Sequence, residues 1–441
     1  MAMWTKVDVQ PGEVVAPNQR LGWGKTIGLG IQHVFAMFGA TFVFPLIMGL
    51  DANVGVMMSG VATIIFLLIV RNRVPSYLGT SASFVGAVAA IRAGGGDNAA
   101  VTGAILIAGV ILALVGVLVK VLGAGFVNKI FPPAVTGAVV MLIGFNLAGV
   151  ATNVYWHQDQ WVAFVTLLAT LIMSVVFRGF LARITVFLGL IVGTIVAMLF
   201  DAIGINGYDR FDAATGKVLE PATARVNWDG FKNADLFGLP NFHGPSFSGS
   251  YILIVLPAVI ALIAENTGHV KAVAQMTGTN LDDVLGDAII GDGVGTIVAS
   301  AAGGSPTTTY AENIGVMAAT RVYSTAAYYV AGLAAILFGL SPKFGALVNA
   351  VPGAVLGGIT LILYGMIGLL GAKIWIEHKV DFGNPINLFP ISAGIIAAIG
   401  GLTQTFTKDF VLVGIASGTV IAVLGWHICN AFAPANLKQK N

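Results

Sequence analysis

Runs of about 20 predominantly apolar residues recur from residue 26 to residue 432, separated mostly by short polar hinges. That one property leaves such a chain a single environment to fold in. A bilayer core about 30 Å thick is crossed by about 20 apolar residues in helix, and backbone N–H and C=O groups inside it must be satisfied within the protein. Composition agrees: 57% of the residues are hydrophobic and 10% charged, against roughly 25% charged in a soluble domain, so a solvated exterior cannot be assembled. Glycine occupies 57 positions, about twice its usual share, which suits helices that associate by close backbone approach. The net charge of +2 gives no basis for a nucleic-acid partner. Cys429, the single cysteine, cannot form an internal disulfide or a thiolate cluster and reads as apolar filler. Residues 1–25 carry Lys6, Asp8, Glu13 and Arg20 and no signal-peptide core, so the first span is expected to be its own insertion signal.

Candidate spans lie near 26–49, 53–70, 76–93, 100–123, 131–150, 160–177 and 182–203. After a polar stretch, 204–249, they continue near 250–270, 283–303, 308–320, 323–340, 347–371, 385–401 and 409–432. The expectation is an all-α polytopic membrane protein of fourteen transmembrane segments, seven plus seven. With the termini cytoplasmic, 15 of the 22 lysines and arginines fall inside. Of those outside, Arg210, Lys217, Arg225 and Lys232 sit in the one long loop, which the positive-inside rule weights little. This predicts both termini, including a tail at 433–441, in the cytoplasm and loop 204–249 outside. The charges of that loop balance one another and read as a solvated surface.

The halves resemble each other. Pro132-Pro133-Ala134-Val135-Thr136-Gly137 in the fifth span parallels Pro352-Gly353-Ala354-Val355-Leu356-Gly357 in the twelfth. An odd number of spans per half sets the two copies in opposite orientation, the inverted-repeat plan of secondary transporters.

Two spans at matching places, the third and the tenth, are poor helices. Val74-Pro75-Ser76-Tyr77-Leu78-Gly79-Thr80-Ser81 gathers proline, glycine and hydroxyls. Gly303-Gly304-Ser305-Pro306-Thr307-Thr308-Thr309-Tyr310 contains a β-branched run that favours extended backbone before a helix begins near Glu312. Each is expected to be a short strand followed by a half-helix. Irregular backbone at membrane depth is tolerated only where protein buries it or it lines a cavity, so matched breaks mark a binding site. A half-helix N-terminus offers free N–H donors and a positive dipole end to a ligand oxygen.

Glu265 follows Tyr251 by fourteen residues, about 21 Å at 1.5 Å per residue. A carboxylate at that depth costs roughly 3 kcal/mol or more unless it meets a cavity or partner, so it marks function by default. His269 follows at i+4 on the same helix face. A pair that merely ties helices together is the weaker reading, since it costs desolvation for little net stability. Glu312 opens the second half-helix, where the dipole favours the anion and burial the protonated acid. Two carboxylates converging on one dry pocket would titrate as a coupled pair and could link solute binding to proton uptake. Gln32 and His33 in the first span, and Asp287 and Asp292 in the ninth, either line the same cavity or serve interhelical hydrogen bonds.

These motifs resemble those of the nucleobase–ascorbate transporter family, also called nucleobase cation symporter family 2, over essentially the whole chain. The family's signature is matched by Glu312-Asn313-Ile314-Gly315 followed by Thr320-Arg321. Gln32-His33-Val34-Phe35-Ala36-Met37-Phe38-Gly39-Ala40, Tyr77-Leu78-Gly79-Thr80-Ser81 and Ala264-Glu265-Asn266-Thr267-Gly268-His269 are similar to its uracil/pyrimidine permease branch. The resemblance implies a core domain of 26–123 and 250–340, a gate domain of 124–203 and 341–432, a proton symporter with no other cofactor, and a homodimer in the inner membrane. It further implies that Glu265 and Glu312 hold the base and that His269 supports Glu265 in proton coupling. Ser81, Ala82, Tyr310 and Ala311 would line the pocket, with Gln32, His33 and Asn313 as further candidates. One departure stands out: an aromatic residue is common in uracil permeases where Ala82 follows Ser81, and its loss removes a stacking ring and enlarges the pocket.

A uracil-like solute fits this chemistry, because carboxylates accept from its ring N–H groups while half-helix donors meet its carbonyls. The competing readings are a purine, xanthine or urate symporter and, ranked lower, an anion transporter of the same fold, which two buried acids would repel. An enzyme would need a nucleophile with a base, or a metal cluster. The scattered histidines and the single thiol supply neither.

Overall fold

The computed structural model describes residues 4–10, 13–123, 125–203, 209–211, 218–221, 224–407 and 410–438. The remaining parts of loop 204–249 and of the tail 433–441 on which expectations were placed, Lys217 and Lys440 among them, lie outside the described residues. Among the described residues, nine helices are long and apolar enough to cross a membrane, and a bent pair, Thr325–Gly339 with Pro342–Asn349 at 82°, makes up to ten. Shorter apolar helices occupy Ala82–Ala93, Gln160–Val176 and Pro385–Ile399, and Ala311–Thr320 forms another short helix.

Local chemistry sets the helix boundaries. Asp51 accepts from the N–H groups of Asn53 and Val54 to start Ala52–Ile69, Asp97 from Ala100 to start Asn98–Leu122, and Asn384 from Ile386 to start Pro385–Ile399. Gly49 and Gly278 end their helices in the left-handed conformation that costs glycine least. Several boundaries differ from the sequence reading: the eighth span runs on to Thr277 rather than ending near 270, and the fifth continues to Gln158 rather than ending near 150. The twelfth span begins at Gly353, not near 347. Ser341 and Pro342 start a separate helix there, and Pro352 disfavours helical backbone at the residue before it. The fourteenth begins at Ile415, because Thr403–Thr407 and Phe410–Val413 pair as an antiparallel hairpin ahead of Gly414. The β-branched run of that hairpin favours strand over helix.

Helices meet through glycine. A Cβ at Gly109 would lie 2.9 Å from the Gly293 carbonyl oxygen, where Asn98–Leu122 packs on Leu285–Ala301. A Cβ at Gly332 would lie 3.0 Å from the Gly60 carbonyl oxygen, where Thr325–Gly339 packs on Ala52–Ile69. Gly144 against Gly368 and Gly394 against Gly418 do the same for Pro133–Asn146 on Gly353–Glu377 and for Pro385–Ile399 on Ile415–Phe432. In lipid this close approach replaces the hydrophobic drive between helices. Large apolar side chains such as Val121, Val175, Leu369 and Ile396 are exposed, a surface suited to acyl chains.

Loop 204–249 is not uniformly solvated as expected. The Arg225 side chain is 5% exposed and is clamped by two acids at the ends of neighbouring helices. Its Nε donates to Asp159 Oδ2 at 2.6 Å and a guanidinium NH to Asp201 Oδ1 at 3.0 Å, while its backbone N–H reaches Asp201 Oδ2 at 2.8 Å. The loop then crosses the surface, with Gly238 N–H bonded to Leu340 O and Ser246 N–H to Ala99 O. At the other terminus, Val15 is fully buried and bonded to Arg321 and Tyr323, and Trp4 Nε1 donates to Thr325 Oγ1 at 2.8 Å.

Candidate functional site

The two broken spans meet. Leu78–Thr80 pairs antiparallel with Thr307–Thr309 in the register Leu78 with Thr309, Gly79 with Thr308 and Thr80 with Thr307. Ser81 N–H to Pro306 O at 2.8 Å and Tyr310 N–H to Tyr77 O at 3.0 Å close the ladder at its two ends. All six strand residues are buried. Beyond the first strand, Ser81 caps a turn that continues as Val85–Ala93, accepting from Ser83 N–H at 3.3 Å. Beyond the second, Tyr310 precedes Ala311–Thr320 without a side-chain cap, and the Glu312 carboxyl stands at its own backbone N–H in the first turn of that half-helix. The first strand can pack directly against Tyr310 because position 79 is glycine. A Cβ there would run into the Tyr310 ring and the Thr41 hydroxyl.

Around the pair stand the acids. Glu265 on helix Gly249–Thr277 is half-buried, and Asp292 and Glu312 are its electrostatic neighbours. The Thr308 hydroxyl lies beside both Glu265 and Asp292 without a hydrogen bond of good geometry to either. Glu312 sits deep among the helices yet keeps exposed surface, as does Ala311 beside it, which places both on an internal cavity. His269 Nδ1 pairs with Thr309 Oγ1 at 2.7 Å, fastening the Glu265 helix to the second strand. Ala82 is half-buried, and Ser81 is wholly buried with its hydroxyl used in capping. The Tyr310 hydroxyl donates to Thr80 O at 2.7 Å and accepts from Thr41 at 3.2 Å, which fixes the ring against the first strand.

Other expected residues lie elsewhere. His33 and Asn313 are fully buried, and the Asn313 amide nitrogen turns to His33. Asn313 Nδ2 lies 3.2 Å from His33 Nδ1 and donates to His33 O at 2.9 Å, and the His33 ring packs on Tyr328 at 4.3 Å. Gln32 is half-buried on the same helix as His33. Asp287 and Asp292 part company. Asp287 pairs with Lys120 at 2.5 Å near the start of its helix, whereas Asp292 is fully buried near Asn266 and Thr308. About one and a half turns of the ninth span run between the Lys120 ion pair and the site, so the two acids, five residues apart, do separate work.

Thr63 and Thr296 bond to the strand pair from neighbouring helices and were not singled out from sequence. A signal was present: Gly60-Val61-Ala62-Thr63-Ile64 matches Gly293-Val294-Gly295-Thr296-Ile297 in four of five positions, in the spans preceding each break.

Comparison with known proteins identifies the family and the fold. A family model described as "Permease family" matches residues 24–407. The candidate pyrimidine permease RutG of Escherichia coli (strain K12) is 40% identical over 419 residues, covering 93% of this chain and 91% of that protein. The uracil permease of Bacillus caldolyticus is 36% identical over 414 residues, 91% of each. Among solved structures, the transmembrane domain of the cyanobacterial bicarbonate transporter BicA superposes with a TM-score of 0.60 at 13% identity, covering 91% of this chain and 96% of that one. The murine anion transporter Slc26a9 in its inward-facing state does so with 0.62 at 12%, covering 92% and 68%. At those identities the likeness speaks for the fold alone. The protein is a multi-pass membrane transporter, not an enzyme, and it belongs to the permease family whose signature it carries, the nucleobase–ascorbate transporters.

Proposed function

We propose that this chain carries uracil or a close pyrimidine relative across the membrane by alternating access, with protons as the coupling ion. The observation that carries the reading is that Glu265, with Asp292 and Glu312 as electrostatic neighbours, stands beside the paired strands of two broken spans, the second of which leads into a half-helix whose N-terminus Tyr310 leaves uncapped. Acceptors and donors at one spot match the alternating N–H and C=O groups of a pyrimidine edge, and unpaired groups left by a poor match are costly. Relatives named uracil or pyrimidine permease support the same substrate class. In this reading Glu265 and Glu312 hold the base, His269 supports Glu265 in proton coupling, and Ala82, Tyr310 and Ala311 border the ring.

Fourteen segments in two inverted halves fit the packing. The contact of spans 4 and 9 has its counterpart in spans 11 and 2, that of spans 6 and 7 in spans 13 and 14, and that of spans 1 and 11 in spans 8 and 4. Spans 1–4 and 8–11 then form the core domain, and spans 5–7 and 12–14 the gate that rocks against it. The lysine and arginine bias supports cytoplasmic termini, and a homodimer completes the proposal.

Uptake of radiolabelled uracil into vesicles, with and without an imposed proton gradient and against a panel of unlabelled bases, tests substrate and coupling together. Gradient-driven uptake competed best by pyrimidines is expected. Uptake indifferent to the gradient refutes the coupling, and stronger competition by purines refutes the substrate.

A further inference from the structure

A two-stranded sheet has two outer edges, and inside a membrane protein no water is at hand to satisfy them. The bonds from Ser81 to Pro306 and from Tyr310 to Tyr77 set the alternation of this ladder, which turns the N–H and C=O of Leu78 and of Thr307 outward. Thr80 and Thr309 also face outward, and Thr80 O accepts from the Tyr310 hydroxyl; the first outward pair of each strand, on Leu78 and on Thr307, meets one threonine hydroxyl. Thr63 Oγ1, on Ala52–Ile69, accepts from Leu78 N–H at 2.9 Å and donates to Leu78 O at 3.3 Å. Thr296 Oγ1, on Leu285–Ala301, accepts from Thr307 N–H at 3.1 Å and donates to Thr307 O at 3.0 Å. Both threonines are fully buried, and each serves the first residue of its strand. They occupy equivalent places in the two halves, since one offset relates Gly60 to Gly293 and Thr63 to Thr296.

We propose that Thr63 and Thr296 are the positioning residues of the site, each hydroxyl standing in for an absent third strand. The strand held by Thr296 carries Thr308, beside Glu265 and Asp292, and Thr309, bonded to His269, before it leads into Glu312. The strand held by Thr63 leads into Ser81 and Ala82. Neither threonine reaches the cavity, yet a shift of either strand moves half of the binding groups. Valine in place of threonine keeps the shape and leaves a backbone donor and acceptor unpaired at once. Serine restores both bonds.

The kinetic arm of the test rests on the uracil reading; the exchange arm does not. In reconstituted full-length protein, Thr63→Val and Thr296→Val are expected to raise KM for uracil about tenfold while maximal velocity changes less, with Thr63→Ser and Thr296→Ser close to wild type. Amide hydrogen exchange is expected to quicken at Leu78 in Thr63→Val and at Thr307 in Thr296→Val. Wild-type KM and exchange in the valine variants would overturn the proposal, and so would serine variants as impaired as the valine ones, which would assign the effect to methyl packing. If the wild type takes up no uracil, the substrate reading fails, and the exchange at Leu78 and Thr307 still decides this one. Should a valine variant not fold, alanine at the same position carries the same two readouts.

Discussion

Replacing Arg225 by methionine keeps most of the side-chain volume and removes the cation from a site where little solvent can compensate. Asp159, 3% exposed, loses the 2.6 Å bond from Nε, and Asp201, 19% exposed, loses the 3.0 Å bond from the guanidinium. Asp201 still accepts from the backbone N–H groups of residues 225 and 226, and Asp159 still caps the helix Gln160–Val176 through Trp161 and Val162. The damage therefore concentrates on the charge of Asp159, and removing one partner of a buried pair costs about 3–5 kcal/mol. That energy is spent where loop 204–249 is fastened between the helix that ends at Ala202 and the one that begins at Gln160. Arg225→Met is expected to expose the loop to limited proteolysis in detergent or nanodiscs and to lower the thermal unfolding midpoint. Adding Asp159→Asn, which removes the stranded charge, should recover part of the loss. Proteolysis and melting as in wild type for Arg225→Met, or a double variant worse than the single one by the full sum of both, would refute the argument that an unpaired buried charge is what destabilises.

Glu265→Gln and Glu312→Gln are each expected to abolish proton-driven uracil uptake in vesicles while leaving folded yield near wild type; wild-type rates in both would remove their assigned role. Ala82→Phe restores a ring beside the half-helix start and is expected to shift relative affinity toward uracil over larger bases, read as weaker competition by purines. Gly60→Val places a side chain against the Gly332 carbonyl where two helices touch, and is expected to cost about 1–3 kcal/mol by overpacking, read as reduced folded protein by size-exclusion chromatography. An unchanged elution profile and yield would show that the close contact is not required.

The sequence by itself determined the membrane environment, the approximate places of the helices, the two breaks and the place of Glu265 within a long apolar helix, because hydropathy, proline, glycine and β-branched runs act over a few neighbouring residues. Their meaning survives whatever the rest of the chain does. Only the tertiary structure decided which polar groups meet. His269 bonds Thr309 forty residues away, Asn313 turns to His33 across 280, and Arg225 closes on Asp159 across 66. Asp287 and Asp292 look alike in the sequence and are divided by the rise of a single helix, one at a surface lysine and one inside. Thr63 and Thr296 looked like ordinary helix residues until the strands lay beside them. Hydrogen bonds of a few ångströms depend on register between distant segments, and no local pattern along the chain encodes that register.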